Sequence, residues 1–395
     1  MHIAGAGSCI IDSIYMNCSY NNYAFQKMWS KTPGDGGLIK GGLVFSEDVQ
    51  NFVQKEYQEI LSHLTGNRTP DIRNLGGPAV VAMAHAAQIL QSRNVKTTFY
   101  GAVGTDDYAE LIRKSIEKTP LNAVLKEIPD KRSATTDVFD DPTQRNGKGE
   151  RSFINTIGAA GYYGEDDLPD SFYDADIVLL GGTALVPRLH DGLHKVLAKA
   201  KQRGCTTVVG TVYDFRNEKK NPLTRWPLGD QSSYSNIDLL ITDEEEAIKL
   251  SGQTDVETAA KELISYGLRT LIITRGALDM LIWSSGAIFE KKDITYYPVS
   301  AYMDHMMEEN PSLRKDTTGC GDNFVGGVIV GLALQILEGR HLSDIRIAPV
   351  CAWGAASGGL TCTYHGGTYY EKEPGEKKSK LLPVIENYLK TVGIK

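Results

Sequence analysis

Asp316-Thr317-Thr318-Gly319-Cys320-Gly321-Asp322 comes just before a glycine-spaced apolar run, Phe324–Leu332, in this 395-residue chain. The run predicts a buried helix, and the small residues at 319–321 let the backbone come close to a ligand. Free amides at the start of a helix favour an anion. A negatively charged aspartate beside a bound anion is electrostatically unfavourable unless it has a chemical role. Accepting the proton of a hydroxyl whose oxygen attacks phosphorus is such a role. The alternative is a glycine-rich turn with Asp322 as a helix cap.

Short apolar stretches alternate with amphipathic ones after Asp176, which predicts βαβ units in an α/β fold with a mostly parallel sheet. The predicted strands are 177–180, 206–209, 239–242 and 270–274, and the predicted helices are 193–200, 244–250 and 258–266. Near the start, residues 3–12 are interpreted as one buried strand that ends at Asp12. A carboxylate at the carboxyl end of a strand in an open α/β sheet lies where ligands bind. The alternative for Asp12 is a turn cap.

A second pattern interrupts this alternation. Residues 134–139 and 151–157 are extended pieces around a turn-rich stretch, which predicts a β-hairpin. We expect one domain over residues 1–395, with a small β lid assembled from about 13–45 and 133–157. A single helix is predicted over 46–64, capped by Ser46, and residues 301–315 are predicted to be irregular.

The charge balance and the cysteine content indicate which partners and which cellular location the sequence favours. Lys and Arg number 42 against 49 Asp and Glu, a formal net charge of −7, which argues against nucleic-acid and anionic-membrane partners. The basic pair Lys377-Lys378 is interpreted as solvated surface. No run approaches the roughly 20 apolar residues of a membrane helix. Six cysteines without a CxxC pair and a start without a basic signal region favour reduced thiols and a cytoplasmic location.

The 316–322 stretch resembles the C-terminal signature of the ribokinase-like, or PfkB, carbohydrate kinases, which usually reads Asp-Thr-x-Gly-Ala-Gly-Asp. Cys320 replaces the usual alanine, and it is also small. Further stretches match the family in the right order: Gly5–Asp12, Asn74–Gly77, Val103–Asp107, Leu240–Ala247 and Thr274–Gly276. Val81 stands where the family usually has Asn. The resemblance implies a three-layer ribokinase-like fold, in which helices flank the central sheet and a small β-sheet forms a lid.

The resemblance also implies an ATP-dependent phosphotransferase that acts on an alcohol group with Mg²⁺. Asp322 would deprotonate the acceptor, and the amides of Gly319, Cys320 and Gly321 would stabilise the moving phosphoryl group. The acceptor would be held by four residues: Asp12, Gly76, Gly77 and Arg151. Arg151 would face the site from the lid hairpin, although an arginine in such a position is more often a solvated residue at a sheet edge.

The nucleotide and metal sites follow from the same resemblance. Thr274 and Gly276 would line the ATP site. Glu246 and Asp243, which replaces the family's Asn, would orient Mg²⁺ through water. Taken alone, this acidic run fits a solvated helix start. Asp316 and Thr318 would hold a monovalent cation such as K⁺.

The sequence is compatible with three functions. A small sugar is favoured as the acceptor, and an adenosine or other nucleoside kinase is the alternative, because the long segment before Gly76 is similar to adenosine kinases. A non-catalytic sugar- or nucleoside-binding protein on the same fold is an alternative from another class. A homodimer that pairs through the lid is compatible with each. An NAD oxidoreductase is disfavoured, because Gly5-Ala6-Gly7 is followed by Ile10 where a third glycine is required.

Overall fold

The computed structural model describes residues 1–32, 34–147 and 149–394, and within these ranges the strands form two separate sheets. The strands are β1 (His2–Gly7), β2 (Ile10–Tyr15), β3 (Leu43–Phe45), β4 (Ile72–Gly76), β5 (Lys96–Val103), β6 (Asn122–Glu127), β7 (Thr135–Asp141), β8 (Glu150–Thr156), β9 (Ile177–Gly181), β10 (Thr206–Gly210), β11 (Leu239–Asp243), β12 (Thr270–Arg275), β13 (Leu278–Ser284) and β14 (Lys292–Tyr297).

Helices cover both faces of the larger sheet and one face of the smaller one. They are α1 (Tyr23–Met28), α2 (Ser46–Val53), α3 (Tyr57–Thr65), α4 (Pro78–Leu90), α5 (Asp107–Glu117), α6 (Gln144–Gly147), α7 (Asp170–Tyr173), α8 (Pro187–Asp191), α9 (Leu193–Gln202), α10 (Phe215–Lys220), α11 (Glu244–Ser251), α12 (Val256–Ser265), α13 (Ala301–Glu309), α14 (Cys320–Leu337), α15 (Ile347–Thr361) and α16 (Glu376–Thr391).

The larger sheet has the strand order β14-β13-β12-β11-β10-β9-β1-β5-β6. Its strands run parallel from β12 to β6, while β13 and β14 are antiparallel at one edge. One core joins this sheet to α4, α14, α15 and α16, and a second core joins its other face to α9, α11 and α12. The central strands are continuous apolar runs because both of their faces are buried. The predicted α/β architecture, a mostly parallel sheet between two helical layers, is confirmed.

The smaller sheet, which we call the lid, has the order β3-β8-β7-β2-β4. The predicted hairpin is present as the antiparallel pair β7 and β8. The lid uses more of the chain than residues 13–45 and 133–157, because β4 contributes Ile72–Gly76. Helices α1, α2 and α3 pack on one lid face around Phe25, Phe139 and Ile154. The chain's own helices therefore cover that face.

The prediction of one strand over residues 3–12 is wrong. The parallel register of β1 with β9 ends at Gly7, and after Ser8 and Cys9 the chain enters β2 of the lid. Asp12 therefore lies within a lid strand rather than at the carboxyl end of a strand of the large sheet. Both strands are apolar, and hydrophobicity alone does not reveal a change of sheet between them.

Two helix predictions also need correction. The helix expected over 46–64 is two helices, because Gln54 adopts a left-handed conformation with φ of 53° and ends α2. Ser46 is the first residue of α2 and makes no capping hydrogen bond to its backbone. The segment 301–315 begins with a regular helix, α13, which Ser300 caps through the amide of Met303.

Within the described ranges, α14 is the helix with the length and apolar composition to cross a membrane. It packs against α4 and α15 in the interior of one helical layer. A core helix surrounded by other elements is apolar on all sides for the same reason as a membrane helix. Its composition is therefore explained by its burial.

Candidate active site

The loop before α14 has the backbone that the sequence predicts. Gly319 has φ of 77°, and a Cβ on it would lie 2.5 Å from the Cα of Gly367. A side chain at this position is therefore excluded both by the backbone conformation and by the contact with Gly367. The Cys320 amide donates to the carbonyl of Thr317 at 3.2 Å, which withdraws it from the predicted set of anion donors. Gly321 is exposed in the first turn of α14, where amides lack a carbonyl partner within the helix.

Two carboxyl groups lie close enough to interact electrostatically where the lid meets the large domain. Asp322 is half-buried in the first turn of α14, and burial raises the pKa of its carboxyl to about 6. Asp12 is buried on the lid, where burial and then the charge of Asp322 raise its pKa to about 7. Residues 310 positions apart in sequence are thus brought to one site, as expected of an acceptor-binding group and a base.

Two glycines of the predicted acceptor site shape the floor beneath Asp12. A Cβ on Gly76 would lie 2.1 Å from the Asp12 Oδ2, so the carboxylate rests directly on the glycine backbone. Gly77 has φ of 108°, and a Cβ there would lie 2.4 Å from the carbonyl oxygen of Ser8. Any side chain at Gly76 would displace the Asp12 carboxylate.

Arg151 reaches from lid strand β8 across to the loop before α14. Its guanidinium donates to the Asp316 carboxylate, and to the Thr318 hydroxyl at 2.8 Å. Burial alone would raise the pKa of Asp316, but the Arg151 charge and the amides of Gly366 and Thr318 bring it below its ordinary value. Both Asp316 oxygens accept hydrogen bonds, and Arg151 balances the charge. In this arrangement Asp316 and Thr318 do not fit a monovalent cation.

The lid presents a polar row toward the large domain. Residues directly opposite each other on neighbouring strands share a face. Asp12 lies opposite Thr136, and Thr136 lies opposite Asn155, whose amide donates to the Thr136 hydroxyl at 3.0 Å. Arg151 is four residues from Asn155 in β8, so the two side chains lie on the same face of the lid. Because Arg151 contacts the loop before α14, this is the face that is turned toward α14. Phe153, between them in the alternation, is half-buried on the same face.

A cavity of about 460 Å³ lies on the other side of the Gly321 turn. Thr274 and Gly276, the residues predicted to line a nucleotide site, form part of its wall together with Cys320 and Gly321. Thr274 is the second-last residue of β12, and Gly276 has φ of 61° in the turn to β13. The structure therefore brings the predicted nucleotide and anion residues to one continuous site.

Sequence reasoning missed one wall of this cavity. Met303, Asp304 and Met307 of α13 line it, as does Arg314. Met303 and Met307 are buried one helical turn apart. The signal was present as two methionines at i and i+4 after a serine cap, but the segment lacks any other apolar periodicity.

Asp243 and Glu246 form the cap of α11. The Asp243 Oδ1 accepts the Glu246 amide at 2.8 Å, and the Glu246 Oε2 accepts hydrogen bonds from the Asp243 amide and from the hydroxyl of Thr211. Burial, followed by the charge of Asp243, raises the pKa of the Glu246 carboxyl. Among the described residues, no cation lies within ion-pair distance of Glu246. Two neighbouring carboxylates without a protein cation fit a divalent ion such as Mg²⁺.

A buried polar network supports the loop over residues 316–322 from behind. The Asn323 amide donates to the carbonyls of Gly319 at 2.9 Å and Gly367 at 2.8 Å. Its Oδ1 accepts a hydrogen bond from Lys377 Nζ at 3.1 Å and contacts His85 Nδ1 at 3.0 Å. Lys377, predicted to be solvated, is 1% exposed. The prediction that Lys377 is solvated is wrong, because Lys377 lies on the side of α16 that faces the core. A short run of charged residues does not indicate which side of a helix is buried.

Lys377 should make stability depend on pH. Burial lowers the pKa of its ammonium group to about 7, whereas the unfolded chain retains an ordinary value near 10.4. Between those two values the unfolded state binds the extra proton, so the free energy of unfolding rises with pH. We expect Lys377→Met to flatten this rise by about 1 kcal/mol per pH unit between pH 7 and 9, measured by urea unfolding. Lys380→Met, on the exposed side of the same helix, should leave the slope unchanged.

Curated relatives with sugar and with nucleoside names match the sequence at similar levels. The cytidine kinase of Thermococcus kodakarensis is 25% identical over 188 residues, which is 48% of this chain and 57% of that protein. The adenosine kinase of Schizosaccharomyces pombe is 24% identical over 67% of this chain and 76% of its own length. The ribokinase of Staphylococcus aureus is 24% identical over 68% of this chain and 77% of its own length.

Solved structures share the architecture. The crystal structure of Anopheles gambiae adenosine kinase in complex with P1,P4-di(adenosine-5) tetraphosphate aligns with a TM-score of 0.66, at 19% identity. The alignment covers 92% of this chain and 96% of that one, so the fold is ribokinase-like, as the sequence predicts. The family model for "pfkB family carbohydrate kinase" matches residues 66–373. The chain therefore belongs to the pfkB family of carbohydrate kinases, phosphotransferases that act on hydroxyl groups.

Proposed function

We propose that this protein transfers the γ-phosphoryl group of ATP to a hydroxyl of a small sugar. The observation that carries the proposal is the position of Asp322. It directly follows Gly321, which lines the cavity together with Thr274 and Gly276, and its charge acts on the buried Asp12 carboxyl of the lid. A base at that position is in reach of both the acceptor and the phosphoryl donor, which is what direct transfer needs.

The proposed reaction uses groups already present in the chain. Asp322 takes the proton of the acceptor hydroxyl as its oxygen attacks the phosphorus atom. Its raised pKa, about 6, keeps it ionised near neutral pH and makes it a better proton acceptor than an ordinary aspartate. The amides of Gly319 and Gly321 stabilise charge on the phosphoryl oxygens. Glu246 and Asp243 would hold Mg²⁺, which when bound neutralises phosphate charge.

The polar row of the lid supports a sugar as the acceptor. Asp12, Thr136 and Asn155 are all buried and adjacent on one face. A carboxylate, a hydroxyl and an amide in line match vicinal hydroxyls of a sugar, because each offers an oxygen or an N–H to a hydroxyl group. Arg151, at the end of this face, would lie close to a bound acceptor and its phosphorylated product.

Aromatic side chains on the same face support a nucleoside as the second candidate. Phe153 is half-buried beside the polar row, and Phe45 lies opposite Asn155 with its ring centroid 6.0 Å from that of Phe215. A purine or pyrimidine base could stack on such rings while its ribose binds the polar row. The two candidates therefore differ in whether Phe153 contacts the acceptor.

An acceptor screen distinguishes these candidates. ADP release with MgATP is measured across pentoses, hexoses, their phosphates and nucleosides. We expect the highest kcat/KM with a free sugar, and Phe153→Leu should change that value by less than about threefold. A nucleoside as the best substrate, with a KM that rises at least tenfold in Phe153→Leu, would contradict the sugar assignment. A ligand that raises Tm without ADP release would favour the non-catalytic binding protein.

A further inference from the structure

Cys320 and Cys362 lie next to each other at the loop over residues 316–322, the catalytic loop of the proposed reaction. Their Sγ atoms are 3.5 Å apart, although 42 positions separate them in sequence. Cys320 begins α14, directly after Gly319, and Cys362 is the C-cap that directly follows α15. The two thiols therefore join the start of one core helix to the end of the helix packed against it.

Access separates this pair from the remaining cysteines. Both Cys320 and Cys362 are partly exposed and line the 460 Å³ cavity. The other four cysteines are buried. A small oxidant that enters the cavity therefore meets two adjacent thiols. The hydrogen bond from Cys320, followed by the charge of Arg314, lowers the pKa of Cys362, which favours its thiolate as the nucleophile.

We propose that Cys320 and Cys362 are a reversible oxidation site that forms a disulfide with peroxide and disables the catalytic loop. The Cys362 thiolate attacks one peroxide oxygen, breaks the O–O bond and becomes a sulfenic acid as the other oxygen leaves as water. Cys320 then attacks the Cys362 sulfur, forms the S–S bond and releases a second water. In total, two thiols are oxidised and one hydrogen peroxide is reduced to two waters.

The disulfide would act through the position of the loop. An S–S bond is about 2.05 Å long, so the two sulfurs must approach each other by roughly 1.5 Å. Cys320 lies between Gly319 and Gly321, and the Cys362 carbonyl accepts the Lys315 amide at 2.8 Å, one residue before Asp316. Both ends of the bridge are thus attached to the 316–322 loop. The loss of activity rests on the proposed function, but formation of the bond does not.

Peroxide treatment of the reduced full-length protein tests the proposal. After quenching with N-ethylmaleimide, we expect neither Cys320 nor Cys362 to carry the maleimide, and one cross-linked peptide pair that contains both residues and is about 2 Da lighter than the two unmodified peptides together. Turnover should fall at least tenfold and return with dithiothreitol. MgATP should slow the cross-link, because it occupies the cavity that both cysteines line. The mass readout works even if no kinase substrate is found.

Variants make the test specific. In Cys362→Ser the ratio of oxidised to reduced activity should stay near one, and no cross-link should form. Cys18→Ser, which removes a buried thiol in the lid, should behave as the parent protein does. Two results would overturn the proposal. One is that both thiols stay alkylatable after peroxide treatment, and the other is that the cross-link forms while turnover is unchanged.

Discussion

Asp322→Asn is expected to lower kcat by about 10²–10⁴-fold, because a positioned general base contributes this much to proton transfer. The amide has nearly the same size and cannot accept the proton. Binding of ATP and of the acceptor, measured by the rise in Tm with each ligand, should persist. Stability should not fall, because the Asp322 carboxyl is ionised near neutral pH although burial raises its pKa, so its charge destabilises the folded protein relative to the unfolded chain.

Asp107→Asn is the matched control for this variant. Asp107 also stands in the first turn of a helix, α5, but it is exposed. The substitution removes the same charge from a comparable backbone position and should leave kcat within about twofold. A similar kcat for Asp322→Asn and Asp107→Asn would remove Asp322 from the role of the base.

Asp12→Ala should reduce kcat/KM for the acceptor by at least about 10²-fold, mostly through KM. Each hydrogen bond to a charged group contributes about 1.5–3 kcal/mol, and a carboxylate can accept one from each of two hydroxyls. Asp12 rests on Gly76 and is held within the lid sheet, so no neighbouring side chain replaces it. The measurement is a pair of saturation curves, one in which the acceptor concentration is varied and one in which the ATP concentration is varied. The KM for ATP should change little.

The same sheet supplies a control for Asp12. Asp137 is buried one residue beyond Thr136, and its carboxylate accepts the Tyr57 hydroxyl on the opposite lid face. Asp137→Asn should lower Tm, because it disturbs a buried hydrogen bond, and leave the acceptor KM unchanged. An equal rise in KM for Asp12→Ala and Asp137→Asn would mean that Asp12 acts only through the integrity of the lid.

The catalytic loop was readable from sequence because its chemistry is local. Gly319 is required both by its left-handed backbone and by the close approach of Gly367. The seven-residue run 316–322 predicts the first of these requirements, but it does not contain Gly367 and cannot predict the second. The alternation of strands and helices after Asp176 predicted the large sheet for a similar reason, since each element shows its own periodicity. These local signals account for the fold class and for the positions of Asp322, Thr274 and Gly276.

Contacts between distant elements were not readable in this way. The change of sheet between β1 and β2 places Asp12 in the lid, and the apolar pattern is the same in both strands. Lys377 is buried because α16 packs against α15 and α4, and Arg151 bonds to Asp316 across the cleft. Each of these placements depends on how distant elements pack against each other. A single sequence does not show which distant positions are in contact.

The most direct test of the central claim is ³¹P NMR of the reaction of ATP, Mg²⁺ and the best acceptor. We expect one phosphate ester of the acceptor for each ADP formed by the parent protein, and no detectable ester from Asp322→Asn over the same time. Ester formation by Asp322→Asn at the parent rate would contradict the assignment of Asp322 as the base. So would the absence of any ester from the parent protein with every sugar and nucleoside that raises its Tm.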